Sequence, residues 1–208
     1  MDEEEVRSRL DVPRETLDRL HAFVELLRAE NQRQNLVSTA SLDTVWQRHI
    51  LDSVQLVQFA PRNARTWLDL GTGAGFPGLI VPLFHSADVM LVESRRLRAE
   101  FLRTAAETLG IAQRVEIHGT RLEAVAASPF DVISARAFAP LPRLLALAER
   151  FSTAGTVWIL PKGRNAKSEL EAARSSWQGD FRLEPSLTDA DAGIVVATGV
   201  RRKTRGRS

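Results

Sequence analysis

The sequence predicts an α/β protein, a helical N-terminal section followed by a mostly parallel, doubly wound sheet of seven strands. Three observations carry that expectation. From residue 65 to 198, short β-prone runs alternate with stretches of helical period, as in a parallel sheet. The first such run, Thr66–Leu70, leads into Gly71-Thr72-Gly73-Ala74-Gly75-Phe76-Pro77-Gly78, four glycines in eight residues between a strand and a helix-compatible segment. Before residue 63, by contrast, apolar residues recur at steps of three and four with no alternating run.

Residues 13–34 read as an amphipathic helix. Pro13 suits its first turn, and Leu17, Leu20, Val24 and Leu27 mark one face. Val6 and Leu10 suggest a short helix before it. Ser41 is a candidate N-cap for a further helical stretch through Trp46, Ile50, Leu51, Val54 and Val57. Pro61-Arg62-Asn63 closes this section. After strand 66–70, a helix is expected from near Pro77, then a strand over Val89–Glu93. Ser94 is expected to cap a helix burying Leu97, Phe101, Ala105 and Leu109 and ending at Gly110. Strands follow at 114–117, 130–133 and 156–160, with helices at 141–151 and 166–177. Two closing strands fall at 181–183 and 194–198. The expected division is an N-terminal extension (1–63) packed on the core, a sheet domain (64–200) and a basic tail (201–208).

Composition narrows the function classes. The chain has 208 residues, 44% hydrophobic and 26% charged, ordinary for a globular domain able to bury a sizeable core. No apolar run approaches the ~20 residues of a membrane span, and the acidic start Asp2-Glu3-Glu4-Glu5 is unlike a signal peptide. A cytoplasmic protein without membrane attachment is expected. The absence of cysteine removes disulfides, thiolate metal sites and cysteine nucleophiles. Net charge is only +2, yet five of the last eight residues are basic: Arg201, Arg202, Lys203, Arg205 and Arg207. Such a tail suits phosphate contact, or is a solvated terminus.

A doubly wound sheet binds its ligand at the carboxyl ends of the strands, near the switch point. That rule selects the 71–78 loop, Glu93, the 119–123 segment, residues 134–137 and residues 161–163. Two glycine registers overlap in the loop. Gly73-x-Gly75-x-x-Gly78 fits a dinucleotide fingerprint with Glu93 as the ribose acid. Asp69-x-Gly71-x-Gly73-x-Gly75 looks like the S-adenosylmethionine loop of class I methyltransferases. Glu93 lies 24 residues after Asp69, placed to accept from both hydroxyls of a ribose in either case. Arg136 and Lys162 end adjacent strands and suit an anionic group such as a carboxylate or phosphate, Arg136 also a flipped base, or else structural ion pairs. His49 and Asp52, three apart on a predicted helix, share a face. They suit an acid–base pair, half a metal site or a plain surface hydrogen bond. His21, His85 and His118 show no ligand spacing, so no metal is expected.

Several segments together resemble the RsmG (GidB) family of bacterial 16S rRNA methyltransferases. They are Asn35-Leu36, Arg48-His49-Ile50-Leu51-Asp52-Ser53, Asp69 through Gly78, Val92-Glu93-Ser94, Ser134-Ala135-Arg136-Ala137 and Lys162-Gly163. The Arg-His-x-x-Asp-Ser segment and the Phe-Pro-Gly continuation make the resemblance specific. It implies a class I methyltransferase fold, S-adenosylmethionine as cofactor, and methyl transfer to N7 of a guanine in 16S rRNA or the small ribosomal subunit. It also implies that Gly71, Gly73 and Phe76 line the cofactor pocket, that Glu93 meets the ribose, that Leu122 and Glu123 flank the adenine, and that Arg136 is a cofactor-site arginine. Arg136, Lys162, His49 and Asp52 are the candidates for positioning substrate. The segment Gly119-Thr120-Arg121 departs from the family pattern. Two other functions compete. One is an NAD(P)-dependent oxidoreductase, although the chain has no Tyr for a Tyr-Lys pair. The other is a non-catalytic, nucleotide-sensing RNA-binding protein.

Overall fold

A computed structural model of the chain describes residues 3–204. Two helices open it, α1 (Glu3–Leu10) and α2 (Arg14–Gln34). Asn35 ends α2 in the left-handed region, φ 49°, its N–H returning to the Asn31 carbonyl, a role open to Asn and Gly. A short α3 (Thr39–Asp43) follows, and Ser38 rather than Ser41 caps it, its side chain accepting from the Ser41 N–H. Both serines were eligible; the one three residues earlier reaches the free amide. The chain then widens into a π-helical turn, Trp46–Leu51, before α4 (Asp52–Val54) and a 3₁₀ turn, Gln55–Phe59.

Seven strands form one sheet: β1 (Thr66–Leu70), β2 (Asp88–Val92), β3 (Val115–His118), β4 (Val132–Ala135), β5 (Val157–Lys162), β6 (Trp177–Pro185) and β7 (Gly193–Arg202). Their order is β3-β2-β1-β4-β5-β7-β6, parallel except for β7, which runs antiparallel between β5 and β6. The order reverses between β1 and β4, the switch point where ligands bind in such sheets. The connecting helices are α5 (Val81–Phe84), α6 (Arg96–Thr108), α7 (Leu141–Ala148) and α8 (Ala166–Arg174).

The expected strands and helices are all present except in detail. The segment after Pro77 makes turns, with Leu79 N–H on Gly75 O and Val81 N–H on Pro77 O, before only four helical residues in α5. Pro82 within that segment restricts how far a helix extends. Ser94 does not cap α6; Arg95 holds the cap position without a side-chain bond. The closing hairpin is longer than its apolar cores suggest, because β6 and β7 pair from Trp177↔Arg202 to Pro185↔Gly193. Arg201 and Arg202 are therefore strand residues, not tail, and the Arg202 guanidinium lies 5.1 Å over the Trp177 ring. Arg205 and Arg207 fall outside the described residues.

Alternate residues of each strand face opposite sides, which divides the core in two. Trp67, Val89 and Leu91 pack with Leu20, Phe23 and Leu27 of α2 and with Phe101 and Leu102 of α6. Leu68, Leu70 and Ile133 pack with Leu144 and Leu145 of α7 and Leu170 of α8. Phe23 lies 5.6 Å from the Phe76 ring and 6.4 Å from Phe101, so α2 braces the glycine loop from one side.

Candidate active site

The loop after β1 is built around Asp69, which is fully buried. Its Oδ2 accepts from the Gly78 N–H at 3.2 Å and its Oδ1 from Ser134 Oγ at 2.6 Å, while Ser134 accepts from Trp67 Nε1 at 2.8 Å. The acid that opens the loop thus ties its two ends together and to β4. A Cβ on Gly78 would meet Leu91 Cδ2 and come within 2.8 Å of Asp69 Oδ2, so only glycine brings this amide to the carboxylate. Gly71 (φ 64°) and Gly73 (φ 58°) turn the intervening backbone through the left-handed region. Burial raises the Asp69 pKa to about 6 against these bonds.

Glu93, just past β2, is 5% exposed. Its Oε2 accepts from the Gly73 N–H at 3.1 Å and its Oε1 from the Arg95 N–H at 2.8 Å. Each oxygen keeps acceptor capacity for a further donor. Above Gly73 the backbone is open, the nearest atoms to an added Cβ being Arg98 Nη1 and Gly71 O at 3.8 Å. Gly71 differs, since the Phe138 ring occupies the place of its Cβ. Beyond β3, Leu122 is buried and Glu123 exposed on a 3₁₀ turn, with Arg150 Nη2 donating to the Leu122 carbonyl.

On the other side of β1, Arg136 gathers the π-helical turn. Its Nη2 donates to His49 Nδ1 at 2.7 Å, and its Nη1 to Asp52 Oδ2 at 3.3 Å and to the Arg48 carbonyl at 3.1 Å. His49 and Asp52 meet through the arginine rather than bonding each other. Because guanidinium only donates, Nδ1 is the acceptor and the His49 proton sits on Nε2, which is buried without a partner among the described residues. The imidazole stacks on Phe76 at 4.8 Å and 17°. Burial, with Arg136 and Arg48 beside it, lowers the His49 pKa to about 3. Asp52 Oδ1 also accepts from Thr188 Oγ1 at 2.6 Å and Gln55 Nε2 at 2.8 Å, and Arg48 pairs with Asp189 at 2.9 Å. The 186–192 loop between β6 and β7 is thereby fastened to the N-terminal section. Between them lies a cleft of about 710 Å³, whose walls include Arg48, Arg136, Phe138, Pro140, Gly163 and Ser186.

Three comparisons with known proteins bear on this site. A family profile described as rRNA small subunit methyltransferase G (GidB) matches residues 16–190. The ribosomal RNA small subunit methyltransferase G of Rhizorhabdus wittichii is 52% identical over all of this chain and 97% of its own length. The protein of the same name from Zymomonas mobilis is 48% identical over 93% of this chain and 90% of its own. This chain belongs to that family. Among solved structures, the O-methyltransferase of Bacillus cereus in complex with SAH superposes with a TM-score of 0.58 at 18% identity, over 85% of this chain and 90% of that one. That likeness shows a class I methyltransferase fold.

Within this family fold, Lys162 has a structural partner. Its side chain is 8% exposed, 3.0 Å from Glu169 and donating to the Ala139 carbonyl at 2.8 Å. Glu169 also accepts from the Leu141 N–H at 2.8 Å, so the pair fastens the loop after β4. Among the described residues, no group of three or more His, Asp or Glu side chains is placed to hold a metal. No helix among them is long and apolar enough to cross a membrane. Trp67, Phe138 and Thr188 were not anticipated as site residues, whereas Ser134 lies in the 134–137 strand end that the sequence selects. Ser134 stands opposite Asp69 across β1 and β4 and is reached there by the Trp67 side chain, a pairing that only the sheet order reveals; Thr188 stands 136 residues from Asp52.

Two of the shifted groups, Asp69 and His49, predict opposite pH limbs in stability. The folded pKa of Asp69 lies above its unfolded value of 3.8. The folded state therefore takes up a proton first, and a destabilisation of about 3 kcal/mol at pH 7 fades as pH falls from 6 to 4. The folded pKa of His49 lies below 6.5, so the unfolded state is protonated first and stability is lost as pH falls from about 6.5 towards 3. Asp69→Asn should steepen the acid loss between pH 6 and 4. His49→Phe, which keeps a ring on Phe76, should flatten it. Urea unfolding at pH 7, 6, 5 and 4 checks both; a His49→Phe profile parallel to wild type would refute the second.

Proposed function

We propose that this protein transfers a methyl group to N7 of a guanine in 16S rRNA, with S-adenosylmethionine as donor, in the bacterial cytoplasm. The family match over residues 16–190 carries the reading. The site fits the donor: a buried carboxylate stands beside open glycine backbone, and Glu93 has acceptor capacity left for ribose hydroxyls. Gly71, Gly73 and Phe76 form the adjoining wall, Leu122 and Glu123 the adenine end, and Arg136 the side towards the cleft. When bound, the donor supplies an electrophilic methyl on sulfur.

Guanine N7 presents a lone pair and no proton, so the chain needs to align the base rather than deprotonate it. A His49 held neutral, with a pKa of about 3, is a poor general base and a good wall. Methylation leaves positive charge on the purine, and a bare cation beside it would oppose the reaction. Asp52 offsets Arg136 at 3.3 Å. We assign the cleft of about 710 Å³ to the extruded base, with His49, Asp52 and Arg136 as positioning residues and Lys162 holding the cleft wall.

Calorimetric titration with S-adenosylmethionine and NADH, then labelled-methyl transfer to undermethylated small subunits and to deproteinised 16S rRNA, tests the reading. Binding of the first ligand and transfer to RNA are expected, with a single-turnover rate lacking a limb near the ~6.5 of free histidine. NADH binding alone would return the oxidoreductase. Donor binding without transfer would leave a nucleotide-sensing RNA-binding protein.

A further inference from the structure

With a net charge of only +2, where the cations lie and whether they are neutralised says more than their total. Most arginines near an acid have one as partner: Arg48 with Asp189, Arg96 with Glu100, Arg136 with Asp52, Arg202 with Glu149. Arg19, Arg62, Arg143 and Arg201 have no such partner among the described residues but lie on separate elements; the four that cluster are Arg95, Arg98, Arg103 and Arg121. Among the described residues their side chains make no ion pair or hydrogen bond, and all but Arg98 are exposed. They also sit together. Arg95 precedes α6 and its N–H holds Glu93; Arg98 Nη1 reaches to 3.8 Å from the Cβ position of Gly73; Arg103 Nη2 lies 3.8 Å from that of Gly119; and Arg121 is two residues further along the same loop. The group lines the rim where β2 and β3 end, on the side of Glu93 away from the Arg136 cleft.

Placing Arg95, Arg96 and Arg98 at the N-terminal end of a 13-residue helix sets cations against the positive end of its dipole, which costs stability. Four cations without acid partners at one strand-end rim raise the local potential and attract polyanions. Guanidinium groups suit phosphate through their forked donors.

We propose that Arg95, Arg98, Arg103 and Arg121 form a docking rim for the phosphodiester backbone of the RNA that carries the target base. This rests on the methyltransferase reading above and adds the path of the RNA. The strand crosses the carboxyl edge of the sheet, with the target base in the cleft at β4 and β5 and flanking phosphates on the rim at β2 and β3. The rim, rather than the C-terminal basic segment, then dominates the salt dependence of binding.

The test uses the full chain and deproteinised 16S rRNA lacking the modification, with binding measured across a salt series. The triple variant Arg95→Ala/Arg103→Ala/Arg121→Ala removes three exposed side chains and spares Arg98, which borders the glycine loop. The control Arg62→Ala/Arg65→Ala/Arg182→Ala removes equal charge from the opposite strand ends and from β6 at the far edge of the sheet. Each lost phosphate contact should flatten the slope of log K against log salt by about 0.9 in duplex and 0.7 in single strand. The rim triple should therefore lower the slope by roughly 2–3, the control by far less, and titration with S-adenosylmethionine should give wild-type affinity for both. An unchanged slope in the rim triple while wild type methylates the RNA would overturn the rim and leave the activity standing. So would a control that flattens the slope as much as the rim triple does. Wild type that neither binds nor methylates the RNA would overturn both, and loss of binding to phosphatidylglycerol vesicles in place of RNA would assign the rim to a membrane.

Discussion

Arg136→Ala is expected to destabilise the protein by about 3 kcal/mol, at the low end of the range for breaking a buried ion pair. The side chain is 23% exposed and Asp52 18%, which moderates the cost. Removal leaves His49 Nδ1 without its donor and takes a guanidinium away from Asp52, which keeps Gln55 and Thr188. Arg136 joins β4 to the N-terminal section, and Asp52 joins that section to the 186–192 loop. The loss should therefore loosen the cleft as well as the fold, with methyl transfer falling further than donor binding. Arg136→Lys should recover only part, because a point charge cannot reach His49 and Asp52 together. Asp52→Asn combined with Arg136→Ala should cost less than the sum of the two alone. Urea unfolding of the four variants decides it; additive costs, or a single-variant cost below about 1 kcal/mol, would contradict a coupled cluster.

The second large effect concerns the donor. Glu93→Ala should weaken S-adenosylmethionine binding by about 1.5–3 kcal/mol, from roughly ten-fold to more than a hundred-fold. It also releases the Gly73 and Arg95 amides that shape the loop. The glycines should grade. Gly71→Ala drives a Cβ into the Phe138 ring at a φ of 64°, whereas Gly73→Ala meets nothing nearer than 3.8 Å. Gly73→Ala carries the backbone strain of φ 58° and narrows the open side. Gly71→Ala should thus lose fold stability and binding, and Gly73→Ala chiefly binding. Calorimetry beside thermal unfolding separates the two; Glu93→Ala binding at wild-type strength would remove Glu93 from the site.

What could be read from the chain follows from the range of the forces involved. Periodicity located the strands and helices because each pattern is local, and the glycine loop between strand and helix indicated a ligand edge before any coordinates. Glu93 was legible for the same reason, standing at a strand end a fixed distance from the loop. Local pattern did not anticipate the π-helical turn at 46–51, where a wider helix brings His49 and Asp52 to one arginine. Nor could it rank Arg136 against Lys162, both cations at adjacent strand ends. Their partners decide the matter: Glu169, on α8, pairs with Lys162, while Asp52 comes from the N-terminal section. Asp69 read as the loop's opening acid, but its work for Gly78 and Ser134 needs β1 beside β4. Arg201 and Arg202 read as tail because the consecutive basic residues 201–203 show no apolar alternation, although both pair with Gln178 and Trp177.

The central claim is that this edge methylates guanine N7, and the modified base itself tests it most directly. A 7-methylguanine in RNA is open to reduction and strand scission, which marks its position. Undermethylated 16S rRNA treated with wild-type protein and S-adenosylmethionine should show one new scission, at a guanine, absent without donor and strongly reduced with Glu93→Ala. Incorporated label without scission, or scission at a base other than guanine, would contradict the account.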